Sequence, residues 1–333
     1  MFDLPFLSRV LLWAVAVSAV AASTVADAAP ATLPLPFDWY PESVAVGPDG
    51  SFYVGSWRQG AVARLRPGAQ RAETLVQPGA NGLANGQGVL VDAKRGVLWV
   101  CSGTSGFTTV AMTPSALKRY NLVTGAPQAS YPMPDDGYCN DVAQDKGGNL
   151  YVTDSFHPRV LRLATGAKTL TVWKEDALLA GAGPYRGLNG IAIDGGREVY
   201  VSVVSAAPYL LRITLGADGA AGSVTRVEAP RELKNVDAIR AWKPGRLVLF
   251  ESNAFGNGPY GGQITVARIE GDHLALRTVV AGLNDPSSGV VLGRRVYFIE
   301  SKYPLLTQHK DDDAGVPRGV PFDLQSHELP HEF

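Results

Sequence analysis

Apolar and polar residues alternate in short runs along this chain, and the runs recur. Six times a strand-length segment is followed, ten residues after its start, by a second apolar segment rich in Tyr and Val. The phrases are ESVAVGPDGSFYV from Glu42, QGVLVDAKRGVLWV from Gln87, NDVAQDKGGNLYV from Asn140, NGIAIDGGREVYV from Asn189, DAIRAWKPGRLVLF from Asp237 and PSSGVVLGRRVYF from Pro286. Their starts are 45, 53, 49, 48 and 49 residues apart. Downstream, AVARLR (61–66) and RVLRLA (159–164) alternate with period two, the spacing of strands whose faces differ. Strand–turn–strand content repeating about every 40–50 residues predicts an all-β fold, a six-bladed β-propeller. Its four-stranded antiparallel blades surround a central tunnel, with blade starts near residues 42, 87, 140, 189, 237 and 286.

Each blade reads as an up-and-down meander. In the first, ESVAV is innermost, SFYVGS returns, and AVARLR and AETLVQ follow. The PDG, KGG and ATG turns then lie on one face of the ring. The loops between second and third strands, and the links between blades, lie on the other. That second face carries Trp57, Tyr138, Phe156, Tyr185, Arg186, Asn253 and Phe255 as candidate substrate contacts, with Gln87 at the tunnel entrance. Aromatic loops suit an organic small-molecule substrate. The VPFDLQSHEL stretch from Val320 is a last strand, expected to pair within the final blade or with the N-terminal LPFDWY segment and so close the ring.

Composition narrows the setting. Charged residues make up only 18% of the 333, against 37 Gly and 23 Pro, as suits short strands joined by tight turns. Net charge is −1 with no Lys/Arg cluster, which argues against nucleic acid or an anionic membrane as partner. Ahead of the repeats, Arg9 precedes the apolar run Val10 to Ala22, and Ala26-Asp27-Ala28 follows as a small-x-small cleavage signal. The run matches a signal-peptide core and falls short of the roughly 20 residues of a membrane helix. Residues 1–28 are therefore expected to be a signal peptide and 29–333 the propeller, a periplasmic or secreted monomer with no membrane attachment after cleavage. Cys101 and Cys139 are the only cysteines, and the repeat puts them at the same end of adjacent blades. A bridge and a pair of buried thiols are both open.

Equivalent positions of a propeller ring the axis, so the first residues of the six phrases converge: Glu42, Gln87, Asn140, Asn189, Asp237 and Pro286. Two carboxylates and two amides make a hard oxygen donor set, neutral overall with one divalent ion. That composition favours Ca2+ over Zn or Cu, which prefer imidazole and thiolate. Glu42, Asn140, Asn189 and Asp237 are thus the predicted ligands of one calcium. Gln87 is placed for a water-mediated contact, and Pro286 interrupts the ring with Asp285 beside it.

The motifs PES (41–43), CND (139–141), LNG (188–190) and VDA (236–238) resemble those of the SMP-30/gluconolactonase/luciferin-regenerating family of six-bladed propellers, related to paraoxonases and diisopropylfluorophosphatases. The resemblance spans nearly the whole mature chain. It implies a catalytic calcium on the same four residues, and hydrolysis of lactones, other esters or phosphotriesters. Two departures stand out. The family's PEGP is PESV here. Paraoxonases also carry a second carboxylate after the first Glu, part of a deeper structural calcium site, where this chain has Ser43 and retains only Asp141. Within the expected lactonase or esterase chemistry, Asp237 is the first candidate for the base that deprotonates water, and His157 the second. The alternative is a non-catalytic small-molecule-binding propeller or a strictosidine-synthase-like scaffold, because a propeller fold alone decides no function.

Overall fold

A computed structural model of the protein describes residues 32–184, 186–253 and 260–333. The proposed signal segment, Tyr185 and Phe255 lie outside the described residues. The rest forms six separate four-stranded antiparallel sheets. Five are meanders contiguous in sequence, with innermost strands Pro41–Val46, Asn85–Asp92, Cys139–Gln144, Gly187–Asp194 and Val236–Lys243. The sixth runs from Ser288–Leu292 through Arg295–Ile299 to Asp323–Glu328 and ends on Leu33–Pro34, where Leu33 pairs with Leu324. The last strand thus pairs within the final blade and with Leu33–Pro34, just ahead of the LPFDWY segment, whose Leu35 and Asp38 amides donate to the Phe322 and Val320 carbonyls, and the N-terminal part closes the ring.

Alternation along each strand buries two faces, one against each neighbouring blade. On the first innermost strand Val44 packs toward the sixth blade and Ala45 toward the second. Six hydrophobic clusters result, one at each blade interface. Gly50, Gly148 and Gly166 take left-handed backbone in the turns of the opposite face, as those tight reversals require.

Two features bring the tunnel residues to the axis. The first is a register shift near the start of five innermost strands, falling at Glu42, Gln87–Gly88, Asn140–Asp141, Asn189–Gly190 and Asp237. Such a bulge bends the strand and re-aims a side chain that would otherwise point at the neighbouring sheet. The sixth innermost strand pairs in regular register from Ser288, and Pro286 falls two residues ahead of it. The second feature is the glycine after two entrance residues. A Cβ on Gly88 would stand 2.6 Å from Asp141 Cα, and one on Gly190 would stand 2.7 Å from Ala238 Cα. Glycine at these positions lets neighbouring inner strands close up around the axis.

Cys101 and Cys139 form a disulfide joining the second and third blades across 38 residues, buried in their shared core. The question left open by the sequence is answered in favour of the bridge.

Candidate metal centre

Each predicted ligand sits on an innermost strand, and contacts among them define the site. Asn189 donates Nδ2 to Asp237 Oδ1 at 2.8 Å, and its own Oδ1 is buried with no partner among the described residues. Asn140 donates Nδ2 to Ser155 Oγ at 2.9 Å, and no described hydrogen bond reaches its oxygen. Glu42 and Asp237 are both buried, and neither forms an ion pair among the described residues. Burial pushes the Glu42 carboxyl well up, reinforced by the charges of Asp237 and Asp141 and opposed by Arg240. Asp237 is pushed up to about 6 by burial, against the lowering effect of its hydrogen bonds from Tyr303 and Asn189.

This is a fit for a hard cation on physical grounds. Two desolvated carboxylates and an orphaned amide oxygen are costly unless something positive completes them. Among the described residues no group of three or more His, Cys, Asp or Glu side chains is placed to hold a metal. The candidate set instead combines two carboxylates with amide oxygens, a pattern that suits calcium.

Around the ligands lies a buried layer. Gln87, with its amide oriented to satisfy its neighbours, donates to Glu42 Oε1 at 3.1 Å and accepts from the Tyr138 hydroxyl at 2.8 Å and Trp57 Nε1 at 2.7 Å. Its polar atoms are thus engaged, and it positions Glu42. Trp57 packs on Phe107 and edge-on against Tyr303, each with centroids 5.2 Å away. Tyr303 in turn donates its hydroxyl to Asp237 Oδ2 at 3.0 Å. Tyr138 stacks on Phe156, whose ring is 62% exposed and forms the outer lip. The tunnel mouth is therefore walled by aromatics from several blades.

The remaining predicted residues lie farther out. His157 contacts Asp154 Oδ2 through Nδ1 at 3.0 Å. Asp154 is fully buried and also accepts from Arg159 and from the Tyr138 and Phe156 amides. His157 belongs to this bracket under the aromatic lip, and no described hydrogen bond joins it to the four ligands. Arg186 donates to Gly183 O on an exposed loop. Asn253 lies against Gly261 in left-handed backbone.

Three further residues complete the site: Tyr303, Asp285, already noted beside the ring, and Arg240, which sequence reasoning does not single out. Tyr303 follows the last repeat on the loop face, but its bond to Asp237 depends on the fold of the 301–303 turn. Asp285 is buried, sits in left-handed backbone, and is raised to about 7 by burial and then by the Asp237 charge. Arg240 reaches Asp141 Oδ2 at 3.0 Å, from the fifth blade to the third. A signal for it is present in the chain: the position three after the entrance residue is Ala45, Leu90, Ala143 and Ala192 in the preceding repeats, and an arginine only in the fifth.

No family model and no curated protein matches the sequence. Solved structures do. A gluconolactonase from Xanthomonas campestris aligns over 91% of this chain and 87% of its own, with a TM-score of 0.57 and 15% identity. Regucalcin from Agrobacterium tumefaciens, described as a calcium-binding protein, aligns over 88% and 94%, with a TM-score of 0.56 and 14% identity. Aldose sugar dehydrogenase from Streptomyces coelicolor, in its PQQ-bound form, aligns over 86% and 94%, with a TM-score of 0.56 and 13% identity. The first two carry names from the family that the motifs resemble. At these identities the likeness establishes the six-bladed fold, and the third shows that the fold serves more than one chemistry.

Proposed function

We propose that the protein is a calcium-dependent hydrolase of lactones or related esters, exported from the cytoplasm and acting as a monomer on a small-molecule substrate. The observation that carries this reading is the Asn189 Oδ1, unpartnered among the described residues, beside two buried carboxylates with no ion pair among them, under an aromatic mouth. The similarity in fold to gluconolactonase and regucalcin supports it, and the Cys101–Cys139 bridge supports export to an oxidising compartment.

Glu42, Asn140, Asn189 and Asp237 would hold the ion. When bound, calcium supplies polarisation of the substrate carbonyl and stabilisation of the negative charge that develops on its oxygen. The chain's own residues do the rest. Trp57, Tyr138 and Tyr303 offer an apolar wall that excludes water from the ring of a lactone and orients its carbonyl toward the tunnel. Asp237 accepts the proton of the attacking water as the new C–O bond forms. It returns that proton to the alkoxide as the ester C–O bond breaks. Hydrogen bonds from Asn189 and Tyr303 fix both its oxygens, and burial brings it nearer the pH at which a base works best.

The test is turnover of a panel of lactones and aryl esters by purified protein, before and after chelation and after calcium is added back. Hydrolysis lost on chelation and restored by calcium is expected. Full activity in chelator, or none on any member of the panel with calcium bound, overturns the reading.

A further inference from the structure

The tunnel has two tiers with different electrostatics. The upper tier holds Glu42 and Asp237, with an amide oxygen left over. A small cavity includes the proposed ligands Glu42, Asn140 and Asp237 in its lining together with Asp141, Arg240 and Ser288, which make up the lower tier. Paraoxonases hold a deeper structural calcium with a carboxylate pair, of which this chain has Ser43 in one place and retains only Asp141. The lower tier does not fit one. Asp141 Oδ2 is taken by Arg240 Nη1 at 3.0 Å and by the Ile191 amide at 3.2 Å, while Oδ1 accepts from the Val142 amide at 2.9 Å. Ser43 Oγ accepts from the Val89 amide at 3.0 Å. Ser288 Oγ and the Gly289 carbonyl accept from Arg240 Nη2 and Nε at 2.9 and 3.0 Å, and the Ile239 carbonyl from Nη1 at 2.8 Å. Among the described residues, the buried side-chain oxygens with no partner include Asn189 above and none of these below.

We propose that Arg240 is the resident cation of the lower tunnel, occupying with its guanidinium the place of a second divalent ion, so that the chain folds around a single exchangeable metal site. Charge accounts for the arrangement. Asp141 is buried, and a buried carboxylate needs a positive partner with its remaining lone pairs satisfied. A guanidinium supplies both, because its planar donors reach the carboxylate and carbonyls of three blades at once. Asp141 and Arg240 then cancel, and Glu42 with Asp237 is left to balance one divalent ion.

Two measurements test this. The first is calcium stoichiometry by equilibrium dialysis and elemental analysis, for wild type and Asp141→Asn. One ion per chain is expected in both, with affinity weaker in the variant only through the uncancelled Arg240 charge, since Asp141 is not a ligand. Two ions in the wild type, or loss of an ion with Asp141→Asn, overturns the proposal. The second is thermal melting in chelator, which reads Arg240 whether or not calcium binds, so its failure is distinguishable from failure of the hydrolase reading. Arg240→Met fills the volume without the charge and strands Asp141, and should lower Tm by roughly ten degrees. The double variant Arg240→Met/Asp141→Asn removes both charges and should recover most of that loss. Arg240→Met melting like the wild type, or a double variant as unstable as the sum of the singles, overturns it. Should Arg240→Met fail to fold, folding of the double variant supports the charge pairing and its failure contradicts it.

Discussion

Asn189 gives its amide nitrogen to Asp237 at 2.8 Å and keeps its oxygen buried and unpaired. The two residues come from adjacent blades, and the bulge at the start of each innermost strand turns both toward the axis. Asp237 is thus the centre of the site, with its second oxygen held by Tyr303. Asp237→Ala removes half the ligand charge and should weaken calcium by at least about a hundredfold, near 3 kcal/mol. Tyr303→Phe removes only one hydrogen bond to a charged oxygen and should weaken it by about tenfold or less. Isothermal titration of both variants checks the ranking, and the reverse order would remove Asp237 from the ligand set.

The acid–base balance of the site gives an opposite pH dependence with and without metal. Burial raises Asp237 to about 6 and Asp285 to about 7, and Glu42 moves in the same direction. Folded protein therefore holds protons at pH values where the unfolded chain has released them. The stability these groups contribute is full below their unfolded values near 4 and is lost as pH rises through 6 to 7. In chelator, Tm should be higher at pH 5.5 than at pH 7.5. Calcium requires the deprotonated ligands, so its stabilising effect should be larger at pH 7.5. Melting curves at the two pH values, with chelator and with calcium, check both signs.

Much of the architecture is legible in the sequence because the repeat carries it. Constant spacing puts Glu42, Asn140, Asn189 and Asp237 at one level of the ring, and the structure keeps them on innermost strands. What the repeat does not encode is contact between blades remote in sequence. Arg240 meets Asp141 across 99 residues, and Tyr303 meets Asp237 across 66. Spacing alone sends Gln87 to the ion or the substrate. Its place beneath Glu42 follows from Tyr138 and Trp57, whose loops no strand pattern specifies. His157 likewise reads as a loop histidine facing the mouth, and only packing shows Asp154 and Arg159 as its partners.

Cys139 is bonded to Cys101 and immediately precedes the proposed ligand Asn140. Closing a 38-residue loop between blades is worth about 4 kcal/mol in the chain-entropy model. The double variant Cys101→Ala/Cys139→Ala should melt roughly ten degrees lower. Reduction of the wild type should produce a similar loss and leave the double variant unchanged. A variant as stable as the oxidised wild type would show that the bridge constrains little.

Gly190 adjoins Asn189 where the inner strands of the fourth and fifth blades meet. An added Cβ would lie 2.7 to 2.8 Å from Ala238 Cα, the Asp237 carbonyl and the Ile239 amide, all backbone atoms that cannot rotate aside. Gly190→Ala should therefore cost about 1–3 kcal/mol and weaken calcium together with it, since relief of the clash separates Asn189 from Asp237. Urea denaturation and a calcium titration on the same sample check the coupling. Loss of stability with unchanged affinity would show that the inner strands move without the ligands.

The last prediction separates the metal from the histidine. A ligand that serves the ion in the transition state should affect kcat, because its contribution grows as charge develops on the carbonyl oxygen. Asn189→Ala removes no charge but takes away both the orphaned oxygen and the hydrogen bond that fixes Asp237. We expect turnover of a lactone or ester to fall by roughly a hundredfold, the scale of one oxyanion-stabilising contact. His157 is bracketed by Asp154 and Arg159 at the aromatic lip, so His157→Ala should change kcat by less than about tenfold. Both are to be measured as kcat and KM at saturating calcium, with thermal melting as the folding control. If His157→Ala is folded, metal-loaded and inactive while Asn189→Ala turns over normally, then the histidine deprotonates the water, Asp237 is not the base, and Asn189 does not serve the ion in the transition state.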